Sequence, residues 1–302
     1  MMPLTSYDIR PATPEDAAAL FVVHAAIVPT DAGQMLEWVT ELEERLETGG
    51  RGWIAARGRR LAGHALIDPV PGLPGAYDLT GGIVPARRRQ GLGSRLLRHV
   101  QTAAGAAGVK QLSCRVDHVD EDGARFLLSR GFYVEHEECL LELDDLAGSP
   151  PVPESPTGDL KVLPASRVTA EFCRVYDASF AGRPWSQPYS EAEVAAMLAG
   201  PDDMLFAVVD GEPVGVVWHE MLPGGRGRVE PIGIVEEFQG QGYGRKLLVA
   251  ALHNLRRRGA SLIEIALWRE NTTAMHLYKS LGFTETGNWY YLAWDVDGLK
   301  AE

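Results

Sequence analysis

Two glycine-bearing segments of this 302-residue chain have the residue types and spacing to hold an anion. In Gln239-Gly240-Gln241-Gly242-Tyr243-Gly244 the glycines follow an apolar run and open a stretch with helical spacing. Amides in the first turn of a helix have no carbonyl one turn earlier to bond, so they converge on an anion at the helix start. Glycine removes the side chains that would keep that anion away. The helix dipole adds about 0.3–1 kcal/mol for each favourable charge. A pyrophosphate suits such a cradle; for one isolated copy, a turn that merely lets strand and helix pack is the alternative. Arg88-Arg89-Gln90-Gly91-Leu92-Gly93-Ser94 is the second segment. Neither has the three-glycine dinucleotide spacing or the Gly-Lys-Ser/Thr ending of the triphosphate loop. The cysteines, Cys114, Cys139 and Cys173, stand 25 and 34 residues apart. That spacing fits neither a zinc ribbon nor a redox pair, and an odd count argues against a disulfide framework. Buried thiols in a reducing cytoplasm, and no metal, are the expectation.

The elements that must position these segments occur twice. Gly82-Ile83-Val84 and Gly233-Ile234-Val235 precede the two loops, and Ser129-Arg130-Gly131-Phe132 and Ser280-Leu281-Gly282-Phe283 follow them. Both pairs stand at one offset of 151 residues (233 − 82 and 282 − 131). Two landmarks kept in register imply a duplicated domain. In the second half, spacing predicts helices over 169–179, 191–198, 244–258 and 272–281. It predicts strands over 160–163, 205–209, 214–220, 229–235 and 262–268, a hairpin turn at Asp210-Gly211, and two closing strands after Phe283. The first half predicts helices over 15–25, 34–46, 93–107 and 122–129, with strands over 7–10, 52–56, 61–67, 77–84, 111–116 and after Gly131. The fold class is therefore α/β in the mixed α+β sense: two tandem domains, each a mixed, mostly antiparallel sheet flanked by helices. Pro150, Pro151, Pro153 and Pro156 mark a linker over 147–158, dividing domains 1–146 and 159–302.

Composition limits the partners. With 45% hydrophobic and 23% charged residues the chain reads as a folded protein. Its net charge of −12 disfavours nucleic acid or an anionic membrane surface. The charge is shared evenly, since residues 1–145 carry 15 basic and 21 acidic side chains and 146–302 carry 14 and 20. No apolar run reaches the roughly 18 residues of a membrane helix, and no secretory signal stands in the first twenty-five residues. A cytoplasmic monomer or homodimer is expected.

The order Gln/Arg-x-x-Gly-x-Gly/Ala after a strand resembles the acyl-CoA pyrophosphate loop of the GCN5-related N-acetyltransferase (GNAT) family. Gln239, Gly242 and Gly244 fill it in the second half; Arg88, Gly91 and Gly93 fill it in the first. Asn271-x-x-Ala274-x-x-Leu277-Tyr278-x-x-x-Gly282-Phe283 resembles the family's second motif. The likeness covers roughly residues 5–145 and 159–297. It implies acetyl-CoA as acyl donor and direct attack by a primary amine of a small molecule. It implies that Gln239, Gly240, Gln241, Gly242, Tyr243, Gly244 and Asn271 hold the donor, with the backbone of Ile234 and Val235 along the pantetheine arm. Ile83, Val84, Arg88, Arg89, Gln90, Gly91, Gly93 and Ser94 are the first-half counterparts. Tyr278 stands where many members protonate the departing thiolate, and a tyrosine keeps its proton at neutral pH. Glu230, three residues before Gly233, stands where relatives place a base, and a partly dry cleft raises a carboxylate toward that task. His219 and Glu220 compete for the same role.

Shifting by 151 places Leu127 at the Tyr278 position, Leu79 at the Glu230 position and Asp120 at the Asn271 position. Leucine transfers no proton, so the first domain is expected to be catalytically inactive and either structural or CoA-binding. Tyr133 is the nearby residue that could substitute as an acid. The acceptor is expected between residues 180–189 and 288–291, against an aromatic wall of Trp185, Tyr189 and Trp289, with Trp218 behind and His219 adjacent. The alternative acceptor is a cysteinyl aminosugar, as for tandem members of similar architecture. A non-catalytic acyl-CoA sensor or scaffold is the alternative from another class. The Arg87–Arg89 and Arg256–Arg258 runs are read as solvated faces.

Overall fold

Strands and helices alternate as the periodicity predicts. The computed structural model describes residues 7–28, 35–47, 51–58, 60–144, 159–184 and 186–296. The chain divides into two compact units, Met1–Glu135 with Tyr290–Glu302, and His136–Trp289. The first unit runs β1 (Asp8–Pro11), α1 (Ala17–Ala25), α2 (Met35–Glu47), β2 (Arg51–Arg57), β3 (Arg60–Pro69), β4 (Ala76–Ile83), α3 (Leu92–Ala106), β5 (Gln111–Val116) and α4 (Asp122–Leu128). The second is built from β6 (Tyr133–Leu143), β7 (Asp159–Lys161), α5 (Ala165–Phe180), α6 (Glu191–Met197), β8 (Met204–Val209), β9 (Glu212–Leu222), β10 (Arg226–Ile234), α7 (Tyr243–Arg257), β11 (Leu262–Trp268), α8 (Thr272–Ser280) and the start of β12 (Thr284–Asp295).

Alternation along each strand sorts the core into two layers. In the first unit, Ile54 and Leu66 pack under α1 and α2 with Leu20 and Leu42, whereas Trp53 and Ile67 pack under α3 with Leu96 and Val100. In the second, Phe206, Val216 and Trp218 meet α5 and α6, whereas Leu205, Val217 and Ile265 meet α7 and α8. Successive strand residues point to opposite faces, so one strand serves both layers. Helix α7 is the most enclosed: Leu247, Leu248, Ala251, Leu252 and Leu255 are fully buried. Each such leucine stabilises the fold by about 1.5–3 kcal/mol. All three cysteines are free thiols; Cys139 is buried, while Cys114 and Cys173 are only half-buried.

Within the second unit the sheet order is β12-β6-β11-β10-β9-β8-β7, and within the first it is β1-β2-β3-β4-β5-β12. The pairs β4/β5 and β10/β11 are parallel. Strand β6 follows the first repeat in sequence, yet it pairs with β11 from Ile263↔Leu143 to Trp268↔Glu138. Strand β12 ends the second repeat, yet its Tyr290–Asp295 stretch pairs with β5. The compact units therefore divide at 135/136 and 289/290 rather than at the prolines, and the linker expected over 147–158 lies outside the described residues. The two closing strands expected after Phe283 are one twelve-residue strand. The chain stays extended through Gly287-Asn288 because neighbouring strands pair with both ends of β12.

Candidate active site

Strands β10 and β11 run side by side only over Arg226↔Leu262, Gly227↔Ile263 and Arg228↔Glu264, then part. The Val235 amide bonds the Val214 carbonyl on β9 at 2.9 Å, so Val235 points away from the gap and its predecessor Ile234 points into it. Of the two residues expected along the pantetheine arm, Ile234 alone presents backbone there. The Gln239 side chain donates from Nε2 to the Ile234 carbonyl at 2.8 Å, and the Gln241 side chain donates to the Glu237 carbonyl at 2.9 Å. These two glutamines brace the loop rather than extend from it. Gly240 (φ 73°) and Gly242 (φ 88°) are in the left-handed region, and Gly242 caps α7 without any side-chain oxygen. A Cβ at either glycine would meet nothing within 4 Å, so the space before the helix start is open. Parted strands, a braced loop and an uncapped helix start fit the arm and pyrophosphate of an acyl-CoA. Asn271 takes another part: its Oδ1 accepts from the Ala274 amide at 3.2 Å and caps α8.

Tyr278 lies on α8, 7% exposed, and its hydroxyl has no hydrogen-bond partner among the described residues. Burial, and secondly the charge of Glu230, raise its pKa well above the ordinary phenol value. Glu230 is water-accessible in the open cleft yet closely surrounded by protein. Desolvation first, then the charge of Glu138, push its pKa up to about 7, with Glu264 and Glu220 adding and Arg228 opposing. A cleft of about 170 Å³ is lined by Tyr189, Met197, Trp218, Glu220, Arg228 and Glu230. Tyr189 stands edge-on to Phe172 at 5.4 Å and to Tyr176 at 5.0 Å, and burial raises its own pKa to about 12. A carboxylate poised near neutrality and a phenol that keeps its proton are suited to deprotonating an ammonium and protonating a leaving group.

Not every expected residue comes to this place. His219 is 1% exposed on the opposite face of β9, its Nε2 3.3 Å from Asn254 Nδ2 on α7; strand alternation turns it from the cleft, and burial lowers its pKa to about 4. Trp289 lies at the end of the unit on β12 and does not line the cleft, and Trp185 lies outside the described residues. Met197, Arg228, Glu138 and Glu264 escape sequence reasoning. Arg228 has a signal, standing two residues before Glu230 on one strand; Glu138 has none, because its strand belongs by sequence to the other repeat.

The first unit repeats the loop but not the Glu230 and Tyr278 side chains. Strands β4 and β5 pair only over Ala76–Asp78, the Arg88 side chain donates to the Ile83 carbonyl at 2.9 Å, and Gly91 (φ 76°) caps α3. Val84, like Val235, turns its amide away, to the Ala62 carbonyl. The Ser94 hydroxyl accepts from Arg130 at 3.0 Å. The uniform 151-residue offset pairs Glu230 with Leu79, and the strand ladders correct this. In β10, Glu230 and Pro231 together face Trp218, a bulge between Val229↔His219 and Ile232↔Val217. In β4, Thr80 alone faces Leu66, and Leu79↔Ile67 matches Val229↔His219. Thr80 is the true counterpart, and a neutral hydroxyl is no base. Tyr133, the nearby residue that could substitute, donates to Asp295 at 2.9 Å, beside Gln111 at the end where β4 and β5 remain paired.

Among known proteins, the chain matches the "Acetyltransferase (GNAT) family" over residues 22–132 and again over 170–283. It is 27% identical over 298 residues to a protein of Cellulomonas flavigena named mycothiol acetyltransferase, covering 92% of this chain and 84% of that one. A solved GCN5-related N-acetyltransferase from Sphaerobacter thermophilus shares the fold at TM-score 0.70 and 18% identity, covering 98% and 97% of the two chains. A tandem GNAT protein from the clavulanic acid biosynthesis pathway does so at TM-score 0.66 and 17% identity, covering 98% and 100%. Both family matches stop just before the strands that change units, β6 and β12.

Proposed function

This chain belongs to the acetyltransferase (GNAT) family, and on that premise we propose that its second unit transfers an acetyl group from acetyl-CoA to a primary amine of a small molecule. Membership makes it an N-acetyltransferase; the choice of unit and of acceptor is our reading. The observation that carries it is the meeting of Glu230, its pKa near 7, with the buried, unpartnered Tyr278 beside the parted strands β10 and β11. Ile234 would pair with the pantetheine arm, and the amides following Gly240 and Gly242 would hold the pyrophosphate. When bound, acetyl-CoA supplies a thioester carbon for the amine and a sulfur that departs. Glu230 takes a proton from the acceptor ammonium, freeing the nitrogen lone pair. Trp218 and Tyr189 form the wall that confines the acceptor beside it. Tyr278, held protonated by burial, gives its proton to the sulfur as that bond breaks. The first unit retains the loop without either proton-transfer group, so we assign it a structural or donor-binding part.

The likeness to mycothiol acetyltransferase favours a second reading of the acceptor, a cysteinyl aminosugar. Thiol release from acetyl-CoA across a panel of amines tests the reaction. Tyr278→Phe should lower kcat by about 10²-fold or more while CoA affinity holds. Intact turnover in both Tyr278→Phe and Glu230→Gln would overturn these roles.

A further inference from the structure

The cleft holds more negative charge than one ammonium neutralises. Arg228 forks onto Glu264, with Nη2 at 2.9 Å and Nε at 3.1 Å from Oε1, and Glu264 is 6% exposed. Arg226 shares that same carboxylate and reaches Glu142 at 3.8 Å. Glu142 and Glu264 thus neutralise both guanidiniums. Glu220 keeps only a 3.6 Å approach to Arg228 Nη1, Glu138 lies 3.4 Å from His136 Nε2, and Glu230 has no guanidinium of its own. Five carboxylates face two arginines and one histidine, a surplus of at least two negative charges when Glu230 is ionised. A carboxylate-bearing acceptor would add to that surplus, because Arg228, the one cation lining the cleft among the described residues, already has acids on both sides.

The spacing of the two cleft carboxylates is also informative. Trp218 faces Glu230-Pro231 across the bulge, and Glu220 is two residues further along β9 on the same face. Two residues of strand span about 7 Å. Glu230 and Glu220 therefore sit at the two ends of a short trough floored by the Trp218 ring, which suits aliphatic carbon and attracts cations from its face.

We propose that the acceptor is a small dicationic amine, of the class of short diamines or diamino sugars, whose second ammonium is held by Glu220 while Glu230 deprotonates the first. This assignment rests on the acyl-transfer reading above and makes Glu220 a specificity-determining residue. The test is acetyl-CoA turnover with a diamine, a monoamine and an ω-amino acid of matched chain length, together with a cysteinyl aminosugar. The diamine should show a KM about tenfold below the monoamine, with the amino acid weakest. Glu220→Gln should reduce the diamine-to-monoamine ratio of kcat/KM about tenfold, mainly through KM. Equal use of diamine and monoamine, preference for the amino acid or for the singly charged aminosugar, or an unchanged ratio in Glu220→Gln would overturn the assignment. The wild-type panel decides the matter should that variant fail to fold. Turnover that depends on Tyr278 but ignores the second charge sinks this proposal alone. Absence of turnover with every amine sinks the acyl-transfer reading and this one with it.

Discussion

Glu230 is the base of the proposed reaction, and a carboxylate held near neutrality has a cost in stability. Its pKa rises from 4.5 to about 7 because burial and the neighbours Glu138, Glu264 and Glu220 disfavour the charged form. Between those values the folded protein holds a proton that the unfolded chain has lost. Stability therefore falls as pH rises through that window. Glu230→Gln should raise stability at pH 8 by on the order of 1 kcal/mol, the shift being discounted for the carboxylate's access to water. Near pH 4 the two proteins should unfold alike. Urea unfolding at the two pH values measures this, and a loss of stability at pH 8 would mean that Glu230 is engaged by a favourable partner instead. The wild-type kcat/KM should climb with an acid limb near pH 7, and no basic limb from Tyr278 is expected below about pH 10. Glu230 and Tyr278 were legible in the sequence because each stands at a set distance from a glycine landmark. The charges that tune Glu230 were not, since Glu138 and Glu264 come from β6 and β11 and meet it only in three dimensions.

At the scale of the element, the two loops solve one backbone problem with different residues. Gly240 (φ 73°) and Arg89 (φ 60°) occupy equivalent positions, 151 residues apart, in the left-handed region. A side chain there costs about 1–2 kcal/mol, which glycine avoids, partly offset by glycine's greater freedom in the unfolded chain. Arg89→Gly should accordingly stabilise the protein by about 0.5–1 kcal/mol, and Gly240→Ala should destabilise it by about 1 kcal/mol. Chemical denaturation of the two variants reads both signs; a destabilised Arg89→Gly would show that the Arg89 side chain contributes more than its backbone strain removes. The helices and most strands could be read locally because their apolar periodicity matches the layers they bury. The bulge at Glu230-Pro231 could not, since one inserted residue in β10 is visible only against the strand it faces.

At the scale of the whole molecule, the repeat in the sequence and the units in space are not the same division. Residues 136–143 complete the second unit's sheet, and 290–295 complete the first's. A fragment of residues 159–302 would leave the β11 edge bare, with Ile263, Ile265 and Leu267 beside it. A fragment of residues 1–146 would leave β5 unpaired on one side. Such edges associate with other chains. Each fragment alone should aggregate or lack a cooperative thermal transition, and co-expression of the two should recover folded protein. A single fragment that is monodisperse and unfolds cooperatively would show that the exchange is dispensable.

By itself the sequence determined the elements, the duplication, the two glycine loops and the absence of Glu230 and Tyr278 equivalents from the first half. Each of these depends on residues near one another in the chain: apolar periodicity, glycine spacing, and a tyrosine one turn before a helix-ending glycine. Tertiary structure alone decided which strands finish which sheet, which face His219 takes, and which charges surround Glu230. Those outcomes depend on pairings between residues that are distant along the chain, and on a one-residue bulge that shifts every side chain before it to a new register.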